Sequence, residues 1–127
     1  MISFFGKERR RKERVQRMAP VIFTVQSGKD PRKVSSPVSG TARDFSPLGM
    51  AVITSKIAPD GIHVMYDTLM TTRNRVDATV FPEGRPPIRV TGKVKWFRES
   101  THPEGPYIFG IEFDEPSAEF REWLFLE

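Results

Sequence analysis

Between Ile88 and Trp96 the chain alternates with a period of two. Ile88, Val90, Val94 and Trp96 fall on one side, and Arg89, Thr91, Lys93 and Lys95 on the other. A strand with one face buried and the other in water sorts its residues this way, so those four apolar side chains are expected in the core. Proline and glycine limit everything around that segment. Eleven prolines and nine glycines in 127 residues leave only short apolar runs, which suit an antiparallel β-protein better than a helical bundle.

The same signals divide the rest of the chain. Val21–Val25 reads as a first strand, and the prolines, glycine and serines of 26–37 as a loop. Strands follow at about Val38–Asp44 and Met50–Thr54, joined by the turn Phe45-Ser46-Pro47-Leu48-Gly49. Ala58-Pro59-Asp60-Gly61 is a further turn. Ile62–Asn74 stays open: His63, Met65 and Asp67 alternate with Val64, Tyr66 and Thr68, but a short helix is an alternative. Arg75–Phe81 and Tyr107–Phe113 complete the strands, the latter with Tyr107, Phe109, Ile111 and Phe113 facing the core. Ser117 can cap a terminal helix whose Phe120, Trp123 and Leu124 stand at i, i+3, i+4. The expected fold is mainly β: an antiparallel barrel of six or seven strands, one end plugged by that helix. Residues 1–18 form a basic arm, expected to be flexible, and 19–127 the barrel domain.

A chain this long buries roughly two-thirds of its unfolded surface, so it needs no disulfide or metal. It has no cysteine, and His63 and His102 are its only histidines, so no metal site is expected. The absence of cysteine fits a reducing cytosol. No run approaches the ~20 apolar residues of a membrane helix. Met1–Gly6 is apolar and the basic residues come after it, the reverse of a secretory signal. A cytoplasmic location is expected.

Charge is distributed unevenly. Residues 1–17 carry a net +5 and 111–127 a net −5, so an anionic partner is expected at the N-terminal end. Two motifs sharpen this. Arg10 and Arg14 stand at RxxxR spacing with Arg9 just before them, and Asp44-Phe45-Ser46-Pro47-Leu48-Gly49 reads DxSxxG between two strands. An RxxxR pair arises easily in a basic tail, whereas DxSxxG is expected by chance in about one chain in thirty of this length. Both together, in this order on a small β-barrel, resemble the signature of the PilZ domain family. Val94-Lys95-Trp96 and Phe109-Gly110-Ile111-Glu112-Phe113 are similar to that family's late strands. The departure is Ile62–Asn74, longer and less regular than the simple strand expected there.

The resemblance implies a receptor for the bacterial second messenger cyclic di-GMP. It assigns Arg10 and Arg14 to phosphate and guanine contacts, with Arg9 stacking or reaching a Hoogsteen edge and a stacked ligand pair bound. Arginine suits a dianion carrying two guanines, because its fork pairs with phosphate oxygens and its flat face stacks on purines. Asp44 would accept from guanine N1–H and N2–H₂ or hold an arginine, and Ser46 would donate, accept or brace the turn. Gly49 would supply a conformation closed to other residues, or let the ligand come close. The ligand would draw the arm onto the barrel and create a surface for a downstream protein partner. Two other readings are a nucleic-acid-binding barrel and a module of the same fold that contacts proteins without a ligand. No nucleophile–base set, paired carboxylates or phosphate-cradling glycine loop suggests an enzyme.

Overall fold

The structure, a computed structural model, describes residues 17–125. Six strands follow one another as β1 Met18–Gln26, β2 Val38–Ser46, β3 Gly49–Thr54, β4 Arg75–Val80, β5 Ile88–Glu99 and β6 Tyr107–Phe113, before helix α1, Ala118–Phe125. They close into a barrel in the order β1-β2-β3-β6-β5-β4, every pair antiparallel. Closure comes from β1, which pairs with β2 on one side and β4 on the other, so each of the six strands has a ladder on both sides over at least part of its length. Strand β1 starts at Met18, ahead of the expected Val21, and runs through Pro20. Its ladder with β4 begins only at Val21↔Val80, so the N–H that Pro20 lacks falls outside that ladder.

Alternate residues fill the interior. Ala19, Val21, Phe23 and Val25 of β1 meet Val76, Ala78 and Val80 of β4, and Ile88, Val90 and Val94 of β5. The inward-facing Phe23 and Phe109 pack edge to face, with ring centroids 5.3 Å apart. Tyr107 departs from the expected core face: it is only half-buried, because β6 starts there at the mouth of the barrel.

Helix α1 closes one end as expected. Ser117 Oγ accepts from the Phe120 N–H at 3.1 Å, capping the helix, and Phe120, Trp123 and Leu124 are buried. Phe45 packs against Phe120 and Trp123 with centroids 5.4 and 4.8 Å away.

The other end is closed by residues 55–74. Ile62–Asn74 is neither strand nor helix: it follows a 3-10 turn at Pro59–Gly61 and holds one isolated bridge, Tyr66↔Arg73. Val64 is fully buried, with Ile57, Ile62 and Met65 against the core. Side chains supply the bonds that a ladder would otherwise make. Buried Asn74 donates from Nδ2 to the His63 carbonyl at 2.7 Å and accepts from the Gly28 N–H at 3.0 Å.

Two ladders carry one extra residue each. Between β2 and β3 the register shifts between Arg43 and Ser46, and between β5 and β6 it shifts between Val94 and Trp96. Each bulge reverses the pleat. In β2, Val38 and Ala42 point inward, and the next inward residue is Phe45, not Asp44. In β5, Val94 is the last of the inward series, and Trp96, expected beside it in the core, lies 38% exposed on the outer wall.

His63 offers a check on the plugged end. Its Nδ1 accepts from the Met65 N–H at 3.0 Å and its ring packs edge to face on Phe97, centroids 4.8 Å apart. Burial holds its pKa below the ordinary 6.5, so the fold favours neutral imidazole. The unfolded chain takes up the proton first, and stability present above about pH 6.5 is lost as the pH falls below it. The thermal midpoint is expected to drop between pH 7.5 and 5.5. His63→Asn, which keeps an acceptor for the Met65 N–H without titrating, should remove that part of the drop.

Candidate functional site

The two bulges face one another across β3 and β6. The register runs from Arg43 of β2 to Ala51 of β3, on to Gly110 of β6 and then to Trp96 of β5. Small residues occupy the middle of this outer row, and a groove of about 300 Å³ follows it, walled by Asp44 and Ser46 on one side and Lys95 and Trp96 on the other. Gly110 makes its floor. A methyl group there would overlap Nε1 and Cε2 of Trp96, so the indole rests directly on the β6 backbone. The Arg98 guanidinium lies 4.6 Å from the Trp96 ring centroid.

The DxSxxG corner forms the opposite wall. Asp44 is the bulged residue, and its φ of 54° lies in the left-handed region, which aspartate tolerates better than most residues. That backbone turn sends Phe45 under α1 and the Asp44 carboxylate into solvent. Ser46 braces the turn as expected: its Oγ accepts from the N–H groups of Leu48 and Gly49 at 3.1 and 3.2 Å and donates to the Gly49 carbonyl at 3.4 Å. Gly49 does not supply the special backbone conformation that was one of the two roles expected of it. The left-handed residue of the corner is Asp44, whereas a Cβ on Gly49 would overlap the Ile111 carbonyl oxygen. Glycine is needed there for the approach of β3 to β6.

Two ion pairs line the groove. Arg43 Nε donates to Asp44 Oδ2 at 3.2 Å, and Lys95 Nζ lies 3.8 Å from Glu112 Oε1. Both pairs are largely in water and add little to stability, and the Arg98 guanidinium over Trp96 is a further cation on that wall.

Arg9, Arg10 and Arg14 lie outside the described residues. The place where the chain enters the barrel is described: Met18 pairs with Arg43, the residue before Asp44. Arg17, just ahead of it, donates from Nη1 to the Trp123 carbonyl at 3.1 Å and stands 5.2 Å from that ring's centroid. Of the six site residues expected from the sequence, Asp44, Ser46 and Gly49 are together on this corner. Trp96 was missed, because a period-2 reading continued through the bulge places it inside.

A sequence model of the PilZ domain matches residues 8–126, nearly the whole chain and both motifs. The chain belongs to the PilZ domain family. PilZ domains are ligand-binding and adaptor modules, generally for cyclic di-GMP. No curated protein and no solved structure matched the chain. Among the described residues of this PilZ domain, no helix is long and apolar enough to cross a membrane. A larger depression of about 620 Å³ opens at the other end of the PilZ barrel. Its carboxylates are engaged by neighbours: Asp30 by Arg32, Asp67 by Lys29, and Asp60 by the Ser36 N–H and hydroxyl.

The glycine floor generates a test. Gly110→Ala is expected to lift the indole off β6 and shift Trp96 emission to the red, read in a Trp123→Phe background, while the far-ultraviolet dichroism of the barrel stays unchanged.

Proposed function

We propose that this protein is a cytoplasmic receptor that binds cyclic di-GMP in the groove between the Asp44–Gly49 corner and Trp96, with the arginines of residues 1–18 closing over it. The observation that carries the reading is the pairing of Met18 with Arg43, which roots the arm beside the corner. Extended chain spans at most about 3.3–3.6 Å per residue, so Arg14 can reach about 14 Å from Met18 and Arg10 about 28 Å. The far wall of the groove, β5, lies four strand spacings from β1, about 19 Å. The backbone lets Arg14 reach the near part of the groove, beside the Asp44–Gly49 corner, and lets Arg10 reach all of it.

Arg43 and Lys95 of the walls already face carboxylates, so the phosphates are assigned to the arm. Arg10 and Arg14 take the phosphates and a guanine edge, and Arg9 adds a stacking or Hoogsteen-edge contact. Asp44 accepts from guanine N1–H and N2–H₂. Ser46 holds the corner in shape and offers its hydroxyl to the ligand, while Gly49 keeps β3 close against β6. Trp96 is added to this set as a platform: a purine stacked there takes the place now held by Arg98. With Arg9 present, the ligand is a stacked pair. The arm and the barrel, residues 19–127, become one surface once the ligand joins them, and that surface is what a downstream protein partner reads. Among the described residues, Arg43 and Lys95 of the groove face carboxylates, which leaves a nucleic-acid backbone little to follow.

Calorimetric titration with cyclic di-GMP tests this, and two ligands per chain are expected. Arg10→Ala and Arg14→Ala should each weaken binding by several kcal/mol, the scale of a lost charge-assisted contact. Removing residues 1–16 should abolish binding while the barrel stays folded. Asp44→Asn separates charge from backbone, since asparagine also tolerates the left-handed conformation; it should fold as the parent does and bind more weakly. Trp96→Ala should cost about 1–3 kcal/mol, the worth of one base–aromatic stack. Undetectable binding by the parent at high micromolar ligand would overturn the reading.

A further inference from the structure

The irregular segment that plugs the barrel also reaches the groove. Strand β4 begins at Arg75, and its ladder with β5 ends at Val76↔Gly92. Beyond Gly92, β5 runs on to Glu99 with β6 on one side and no ladder on the other. Val94 lies in that stretch, at the start of the bulge that turns Trp96 outward. Its carbonyl takes a donor from the Arg73 guanidinium, through Nη2, across 21 residues of sequence. Arg73 is itself held in place: it pairs with Tyr66 in the isolated bridge, and its guanidinium stands 5.9 Å from the Tyr66 ring centroid. Its Nε is buried and finds no acceptor among the described residues.

The geometry assigns Arg73 as a positioning residue for the groove: by capping the Val94 carbonyl it holds the one-residue bulge at Lys95, and so keeps the Trp96 indole on the outer wall over Gly110. The physical reason lies in the pleat. A one-residue change of register sends every following side chain to the other face, and Trp96 has the parity of the inward series Ile88, Val90 and Val94. A buried carbonyl left without a donor is costly, so removing the fork favours arrangements of this end of β5 that turn the Val94 carbonyl to water or another donor, and the bulge beside it shifts with them. Phe97 resting on His63 joins the same strand end to the same segment.

The part concerning ligand affinity rests on the proposed cyclic di-GMP site; the position of the indole does not. Arg73→Met keeps the aliphatic stem and loses the fork. In the ligand-free protein the Gly110 amide and Hα resonances, shifted in the parent by the ring current of the indole above them, should move toward ordinary glycine values. With cyclic di-GMP as the probe, Arg73→Met should raise Kd about tenfold, within the range for losing one base stack, and should add nothing in a Trp96→Ala background. Unchanged Gly110 resonances, or an equal loss of affinity with and without Trp96, would overturn the assignment. If Arg73→Met does not fold, Arg73→Lys, which keeps the cation and loses the fork, enters the same comparison. If the parent binds no cyclic di-GMP, the proposed function fails and the Gly110 resonances alone decide the role of Arg73.

Discussion

A pleated strand sends successive side chains to opposite faces, and the site depends on two places where this barrel breaks that rule. One extra residue in β2 puts Asp44 outside and Phe45 inside, and one in β5 puts Trp96 outside after Val94 inside. Each bulge takes a residue whose parity belongs to the core and gives it to solvent. Because β3 and β6 lie between them, both displaced residues border the same shallow strip. The strip can be shallow because Ala51 and Gly110 occupy its middle.

The bulges are held by different means. At the first, the chain's own apolar side chain is the anchor: Phe45 is buried between Phe120 and Trp123, and the Ser46 hydroxyl closes the turn behind it. At the second, the following Phe97 only rests its ring on His63 and stays 46% exposed, and a guanidinium from a distant loop satisfies the backbone. The first wall is therefore held by a side chain of the bulged stretch itself and a local turn, the second by a side chain that comes from elsewhere in the chain.

That difference explains how much could be read from the chain itself. Every strand was visible in alternation and turn chemistry, because burying one face of a strand imposes a period that a window of nine residues reveals. The Asp44–Gly49 corner was visible too, since aspartate, serine, proline and glycine are local turn formers. Trp96 was not. Its outward direction depends on which carbonyl Arg73 reaches, and nothing in the residues around Trp96 records that contact. The plug of residues 55–74 was unreadable for a related reason: Asn74 and Asp60 hold it with side-chain hydrogen bonds from the N–H groups of Gly28 and Ser36, far away in the chain, and such contacts have no period. The part Gly49 plays in bringing β3 close to β6 was not visible, because that closeness is a property of pairing. One sign was available: Gly110 follows Phe109 in a strand otherwise filled with large residues, and a gap of that kind on an outer face leaves room for a ring.

Both mouths of the barrel are closed, one by α1 and the other by Val64 and its neighbours, and among the described residues side chains fill the interior between them. The proposed recognition uses only the shell. Side chains on that shell can therefore drift in evolution without loosening the packed centre, and relatives with one common interior can differ widely in what they hold or whether they hold anything.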